Sequence, residues 1–238
     1  MESAPVATAH TKGTLSGFSL VEMMVVLAII TIITAVVLTG QSTFNRSILL
    51  TDTAYQVATS IREMQSFGIS SRRYKSGATD VQNSPYGVHI DTSNKNRYIL
   101  FADTSNTPTP SPALSNCALG TPGTPDAKTG NCLYDTDATP DAIVETNTFT
   151  RGFTISKYCG YVNTSTKYCS DDGSTPLTAM DIVFIRSSTE SAINAYRGAS
   201  WVSLISAEIY LTSADGSATR GVCVSRVGQV SVTQTTCQ

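Results

Sequence analysis

The chain has 238 residues, of which 41% are hydrophobic and only 14% charged, with a formal net charge of −2. That length holds one helical stalk and one globular domain of ordinary size, and that balance argues neither for nor against a polyanionic partner overall. Ser, Thr, Gly and Asn supply much of the polarity, as on many extracellular and fibrous proteins.

Residues 1–17 are a short polar leader with one lysine, Lys12, and one acid, Glu2, so its removal leaves the net charge unchanged. A secretory signal peptide places its small-residue cleavage site after its apolar run, whereas here Gly17 precedes the run. From Phe18 to Gly40 the sequence holds 23 residues whose only charge is Glu22. As a helix this stretch is roughly 34 Å long, enough to cross the hydrocarbon core of a bilayer. An acid at that depth costs about 2.5–3.5 kcal/mol on insertion scales, so Glu22 calls for a function.

Gly17-Phe18-Ser19-Leu20-Val21-Glu22, followed by a Met/Val/Leu/Ile run, resembles the class III signal of type IV prepilins and type II secretion pseudopilins. The resemblance implies cleavage by a membrane prepilin peptidase between Gly17 and Phe18, methylation of the new Phe18 amino terminus, and a register role for Glu22. In a staggered bundle the freed amino group of a neighbouring Phe18 can pair with the Glu22 carboxylate in lipid. A plain signal anchor with a stray acid is the competing reading, but it has no need of Gly17-Phe18. The same resemblance implies an inner-membrane protein crossing once with its carboxyl-terminal domain in the periplasm, later placed in a periplasmic or surface filament. It also implies as partners other pilin or pseudopilin subunits, an inner-membrane assembly platform and membrane lipid.

Beyond Gly40, apolar residues recur at Phe44, Ile48, Leu50, Ala54, Val57, Ala58, Ile61, Met64 and Phe67, a stripe at helical spacing, while Asn45, Asp52, Gln56, Arg62 and Glu63 form the other face. The expected organisation is thus a transmembrane or filament-core helix over 18–40, an amphipathic half over 41–68 and a domain over 69–238. Residues 18 to about 68 would make a stalk of roughly 75 Å, with Gly40 as its weak point. The basic cluster Ser70-Ser71-Arg72-Arg73-Tyr74-Lys75 suits a helix carboxyl terminus.

Tyr86–Ile90 and Arg97–Phe101 flank 91–96 as a hairpin, a pattern that resembles the first hairpin of GspH/FimT-type minor pseudopilins. Residues 103–148 hold six of the nine prolines and, in Tyr134, one aromatic, so they are expected to form an exposed loop. Later strands are expected over 148–157, 181–186, 201–212, 221–226 and 228–233. Ala207, Ile209 and Leu211 alternate with Glu208, Tyr210 and Thr212 as a half-buried strand would. The last two strands meet in a hairpin at Arg226-Val227-Gly228, and this ending resembles the family's terminal hairpin. The fold class expected is α+β: a long amino-terminal helix packed on an antiparallel sheet.

Six cysteines, Cys117, Cys132, Cys159, Cys169, Cys223 and Cys237, all follow the apolar run. The even count fits three disulfides in an oxidising compartment. Neighbour pairing, 117–132, 159–169 and 223–237, is the simplest of fifteen connectivities. No Cys-x-x-Cys occurs, and Asp135-Thr136-Asp137 with Asp141 fails the EF-hand pattern, so no metal or other cofactor is expected. Asp171-Asp172-Gly173 reads as a turn.

His89 is the one histidine after the leader, and a lone strand histidine is read as packed or surface. Nothing near it looks like a nucleophile elbow, so no catalytic residue and no enzymatic activity are expected. Some minor pilins of the resembled subfamily capture DNA through arginines after the terminal glycine. Here Gly228 is followed by Gln229, Val230 and Ser231, so those arginines are missing; Arg72, Arg73, Lys75, Arg220 and Arg226 can still form a patch, but a net charge of −2 gives no strong field, and nucleic acid is not an expected partner. The expected function is a structural minor pilin or pseudopilin. The alternatives are a DNA-binding minor pilin for natural transformation, a major pilin, and a membrane-anchored enzyme if a deep polar pocket surrounds His89.

Overall fold

The computed structural model describes residues 17–70, 72–76, 79–81, 84–105, 130–136, 140–185, 188–234 and 236–237. Two compact units divide the chain between Asn45 and Arg46. The first consists, where described, of the start of the helix α1 (Leu20–Ile69); Gly40 lies within these bounds. The fold is α+β and pilin-like.

In the second unit α1 presents Leu50, Ala54, Val57, Ala58, Ile61 and Met64, each no more than 2% exposed. Those positions are spaced by three or four and form one face. Burying each large member contributes about 1.5–3 kcal/mol. The expected stripe is corrected at Ile48, which is 51% exposed, because Leu49 turns inward in its place. The helix ends where the Ser70 and Arg72 amides reach back to the Ser66 and Phe67 carbonyls. The Arg72 guanidinium lies 4.0 Å over the Phe67 ring, so part of the basic cluster packs on the helix it follows.

A short hairpin, β1 (Tyr74–Ser76) and β2 (Thr79–Val81), leads into two larger antiparallel sheets where one was expected. The strands are β3 (Tyr86–Asp91), β4 (Arg97–Ala102), β5 (Ala142–Thr148), β6 (Thr154–Tyr161), β7 (Lys167–Cys169), β8 (Leu177–Phe184), β9 (Ser191–Arg197), β10 (Ser200–Leu204), β11 (Ser206–Thr212), β12 (Thr219–Ser225) and β13 (Val230–Thr233). Their order is β10-β9-β8-β3-β4-β5 in one sheet and β13-β12-β11-β6-β7 in the other. The inner faces of both sheets share a single core with α1, including Val88, Leu100, Ile182 and Ile193 from the first sheet and Ile155, Ile209 and Val222 from the second.

Several boundaries differ from the sequence reading for physical reasons. The 201–212 segment is two strands, not one. Ile205 breaks it as the chain leaves the edge of the first sheet for the centre of the second, and its amide and carbonyl are taken by Tyr161 and Arg226. The strand expected over 148–157 instead begins at Thr154, because Arg151 and Gly152 both take positive φ in a turn after β5. Strand β9 has no counterpart in the sequence reading. Its small polar residues hide a strand buried on both faces over Ser191–Ala195.

The 103–148 loop is also shorter than expected. Ala142–Thr148 forms an exposed edge strand against β4, and Asp103, Asn131, Cys132 and Leu133 are buried. Residues 106–129, the centre of that stretch, lie outside the described residues.

The closing hairpin forms where expected, with Gly228 at φ +82. A side chain there would strike the Thr189 carbonyl and the Gln65 amide, so the turn needs glycine.

Candidate functional site

Gly17, Phe18 and Ser19 precede α1 without helical structure, and the helix begins with the Met23 amide bonding to the Ser19 carbonyl at 3.2 Å. Glu22 falls in the first turn, where the exposed amides favour negative charge. Among the described residues, nothing beyond its chain neighbours lies within 4 Å of where a Gly17 β-carbon would stand, and Phe18 is 74% exposed.

Leu20–Leu38 has a mean hydropathy of 2.7, and none of it is buried within the protein. The large apolar side chains of this stretch are exposed on every face of the helix. That arrangement suits lipid or other helices, because its backbone polar groups are satisfied internally. The two threonines hide their hydroxyls the same way. Thr31 Oγ1 donates to the Leu27 and Ala28 carbonyls, and Thr34 Oγ1 to Ile30.

Two disulfides lie at the second sheet. Cys159 and Cys169 face each other across β6 and β7, and Cys223 on β12 joins Cys237 near the carboxyl end. Cys132 is also disulfide-bonded, and Cys117 lies outside the described residues. The outer face of β11 is closed rather than half-open: Glu208 is 2% exposed, accepts from the Tyr210 hydroxyl at 2.7 Å and pairs with Lys167 at 2.5 Å.

Arg220 is consumed by packing. Its Nε donates to Thr51 Oγ1, its Nη2 to Ser47 Oγ and its Nη1 to the Thr219 carbonyl, each at 2.8 Å. It therefore ties β12 to the helix. Nearby, Arg62 donates to the Val230 carbonyl and Gln65 to that of Gly228.

His89 anchors the most polar part of the domain. It is 9% exposed, and its Nδ1 lies 2.6 Å from Asp181 Oδ1, while Nε2 lies 3.6 Å from Asp91 Oδ2. Burial opposes the charged ring, but the charge and hydrogen bond of Asp181, with help from Asp91, push His89 up to about 9. His89, 3.6 Å away, in turn holds Asp91 below the usual carboxylate range. Asp181 Oδ2 accepts the Tyr134 amide at 3.1 Å, so one buried carboxylate joins β8, β3 and the 130–136 segment.

Two further acids hold that segment. Asp103 accepts the Asn131 and Cys132 amides, and Asp141 accepts those of Thr104, Ser105 and Asp135. Burial raises both acids, Asp141 to about 6 and Asp103 well above its ordinary value with the Asp141 charge adding to it. Of the acids weighed as calcium ligands, Asp141 thus binds backbone amides, Asp135 accepts the Asn131 side-chain amide at 2.7 Å, and Asp137 lies outside the described residues; Asp172 accepts the Cys169 amide within its turn. Gly130 takes φ +96 directly against the Asp103 carboxylate, which leaves no room for a β-carbon.

A groove of about 410 Å³ opens beside His89. Its imidazole is a poor general base, since it already carries its proton at neutral pH and both nitrogens face carboxylates. The groove's other members, among them Arg97, Tyr134, Tyr196 and Trp201, were not singled out from sequence. One signal was available: His89 and Asp91, two apart on a strand, share a face.

Residues 16–38 match the family model described as the prokaryotic N-terminal methylation motif. No curated protein and no solved structure matches the chain.

Proposed function

We propose that the chain is a minor pilin or pseudopilin of a type IV pilus or type II secretion pseudopilus. The methylation motif on an exposed, apolar helix carries this reading: it implies a pilin-like protein processed by prepilin peptidase and assembled with other subunits. In the finer reading the peptidase cuts between Gly17 and Phe18, and Phe18 becomes the methylated terminus. Leu20–Leu38 first anchors the protein in the inner membrane and then enters the filament core, with Glu22 setting axial register against a neighbour's amino terminus. The disulfide-stapled domain then faces the periplasm or the filament surface.

Intact mass of the protein from cells with and without the peptidase tests this. Loss of residues 1–17 together with gain of one methyl group, only when the peptidase is present, is the expected result. An uncut chain under both conditions overturns it. Copy number in purified filaments then separates a minor from a major subunit.

A further inference from the structure

On the outer face of the first sheet, the groove beside His89 has an aromatic wall on two sides. Tyr196 and Trp201, paired across β9 and β10, stand with ring centroids 5.3 Å apart at 59°. Opposite them, Tyr134 is held rigidly: its amide is bound by Asp181, and its ring lies 4.5 Å from His89 and 5.2 Å from Phe101. None of these three rings is fully buried, so each keeps surface toward the groove.

Arg97 supplies the charge. Among the described residues its guanidinium has no acidic, aromatic or hydrogen-bonding partner, and its Nε is shielded from water with no acceptor. The other charges here are already matched, since His89 faces Asp181 and Asp91. A half-buried guanidinium with a free fork is suited to bind a carboxylate through two parallel bonds.

We propose that this groove binds an acidic sugar, a uronic-acid unit of an envelope or extracellular polysaccharide. The carboxylate pairs with Arg97, the apolar C–H face of the ring lies on Tyr196 and Trp201, and Asp91 at the rim accepts from ring hydroxyls. An aromatic acid would satisfy the walls and Arg97 but would bring no hydroxyl donor to Asp91. A neutral sugar would leave the guanidinium charge unmatched. The site is preorganised, because the 130–136 segment that carries Tyr134 is fixed by Asp103, Asp141 and Asp181.

Trp201 is the chain's single tryptophan, so its emission reports on this groove alone. The full-length protein in detergent micelles is titrated with trigalacturonate, galactotriose and benzoate. Trigalacturonate is expected to shift the emission saturably, with the other two binding at least about tenfold more weakly. Arg97→Gln removes an orphaned donor and should leave the melting curve unchanged while weakening trigalacturonate by about tenfold or more; Arg97→Lys should recover part of the loss. Tyr196→Leu, which keeps an apolar side chain on the strand, should weaken it as well. No saturable response to trigalacturonate, an equal response to galactotriose or benzoate, or undiminished affinity in Arg97→Gln and Tyr196→Leu overturns the assignment.

Discussion

Asp181 and His89 are 92 residues apart in sequence, directly opposite each other on neighbouring strands, and joined through Oδ1 and Nδ1 at 2.6 Å. The pair makes stability depend on pH with a defined sign. The folded state keeps the His89 proton up to about pH 9, whereas the unfolded chain releases it near 6.5. The contribution is therefore complete below pH 6.5 and is lost as pH rises toward 9, with an upper size of roughly 3 kcal/mol. Thermal melts across that window should show a falling midpoint. His89→Gln should start lower and lack this part of the slope; an identical slope in the variant would rule the pair out as its source.

The 130–136 segment is held largely by backbone amides on buried carboxylates, which makes Asp103 its most sensitive anchor. Asp103→Asn turns one acceptor oxygen into a donor that faces the Asn131 or Cys132 amide. The expected cost is about 1–3 kcal/mol, concentrated in the segment. Hydrogen exchange should quicken at Asn131, Cys132 and Tyr134 while the amides of β8 and β9 stay protected. Uniform quickening across the sheet would mean that the segment and the domain open together.

The sequence exposed periodic and punctuated features and concealed paired ones. The helix stripe through Leu50, Val57, Ile61 and Met64 and the turn at Gly228 are local patterns, each with its own physical requirement. The Asp181–His89 pair follows from the β3–β8 register, which no local signal encodes, and Tyr134 reaches the groove because two distant acids, Asp103 and Asp181, join Asp141 in fixing its segment. Likewise β11 reads as half-buried by alternation, yet Glu208 is enclosed because Lys167 and Tyr210 satisfy it on the same outer face of the sheet. The proline-rich composition of 103–148 masked β5, whose exposed side chains resemble those of a loop.

The Cys223–Cys237 bridge, separated by 14 residues, ties the carboxyl end to a central part of the second sheet. By loop-closure entropy, replacing both cysteines with serine should cost about 3 kcal/mol. The loss should appear as a lower denaturant midpoint at constant slope, with freer exchange at β13. A variant as stable as the parent would mean that hairpin pairing alone holds the end.

Glu22 should separate insertion from assembly. A leucine at this position removes the only charge from the apolar stretch, so Glu22→Leu should enter the membrane at least as well as the parent. The carboxylate belongs to the fifth residue after the proposed cleavage bond, so the chain should still be cut after Gly17. The proposed cation, a neighbour's Phe18 amino group, is available only within a bundle. Breaking such a pair in a low-dielectric core costs on the order of 3–5 kcal/mol, enough to reduce incorporation more than about tenfold in competition with parent subunits. The measurement is the ratio of Glu22→Leu to parent chains in membranes and in sheared filaments from cells expressing both. A ratio that falls sharply between the two fractions, with both chains processed, assigns Glu22 to register. Equal ratios would leave the apolar surface of Leu20–Leu38 as sufficient for assembly and strip Glu22 of that role.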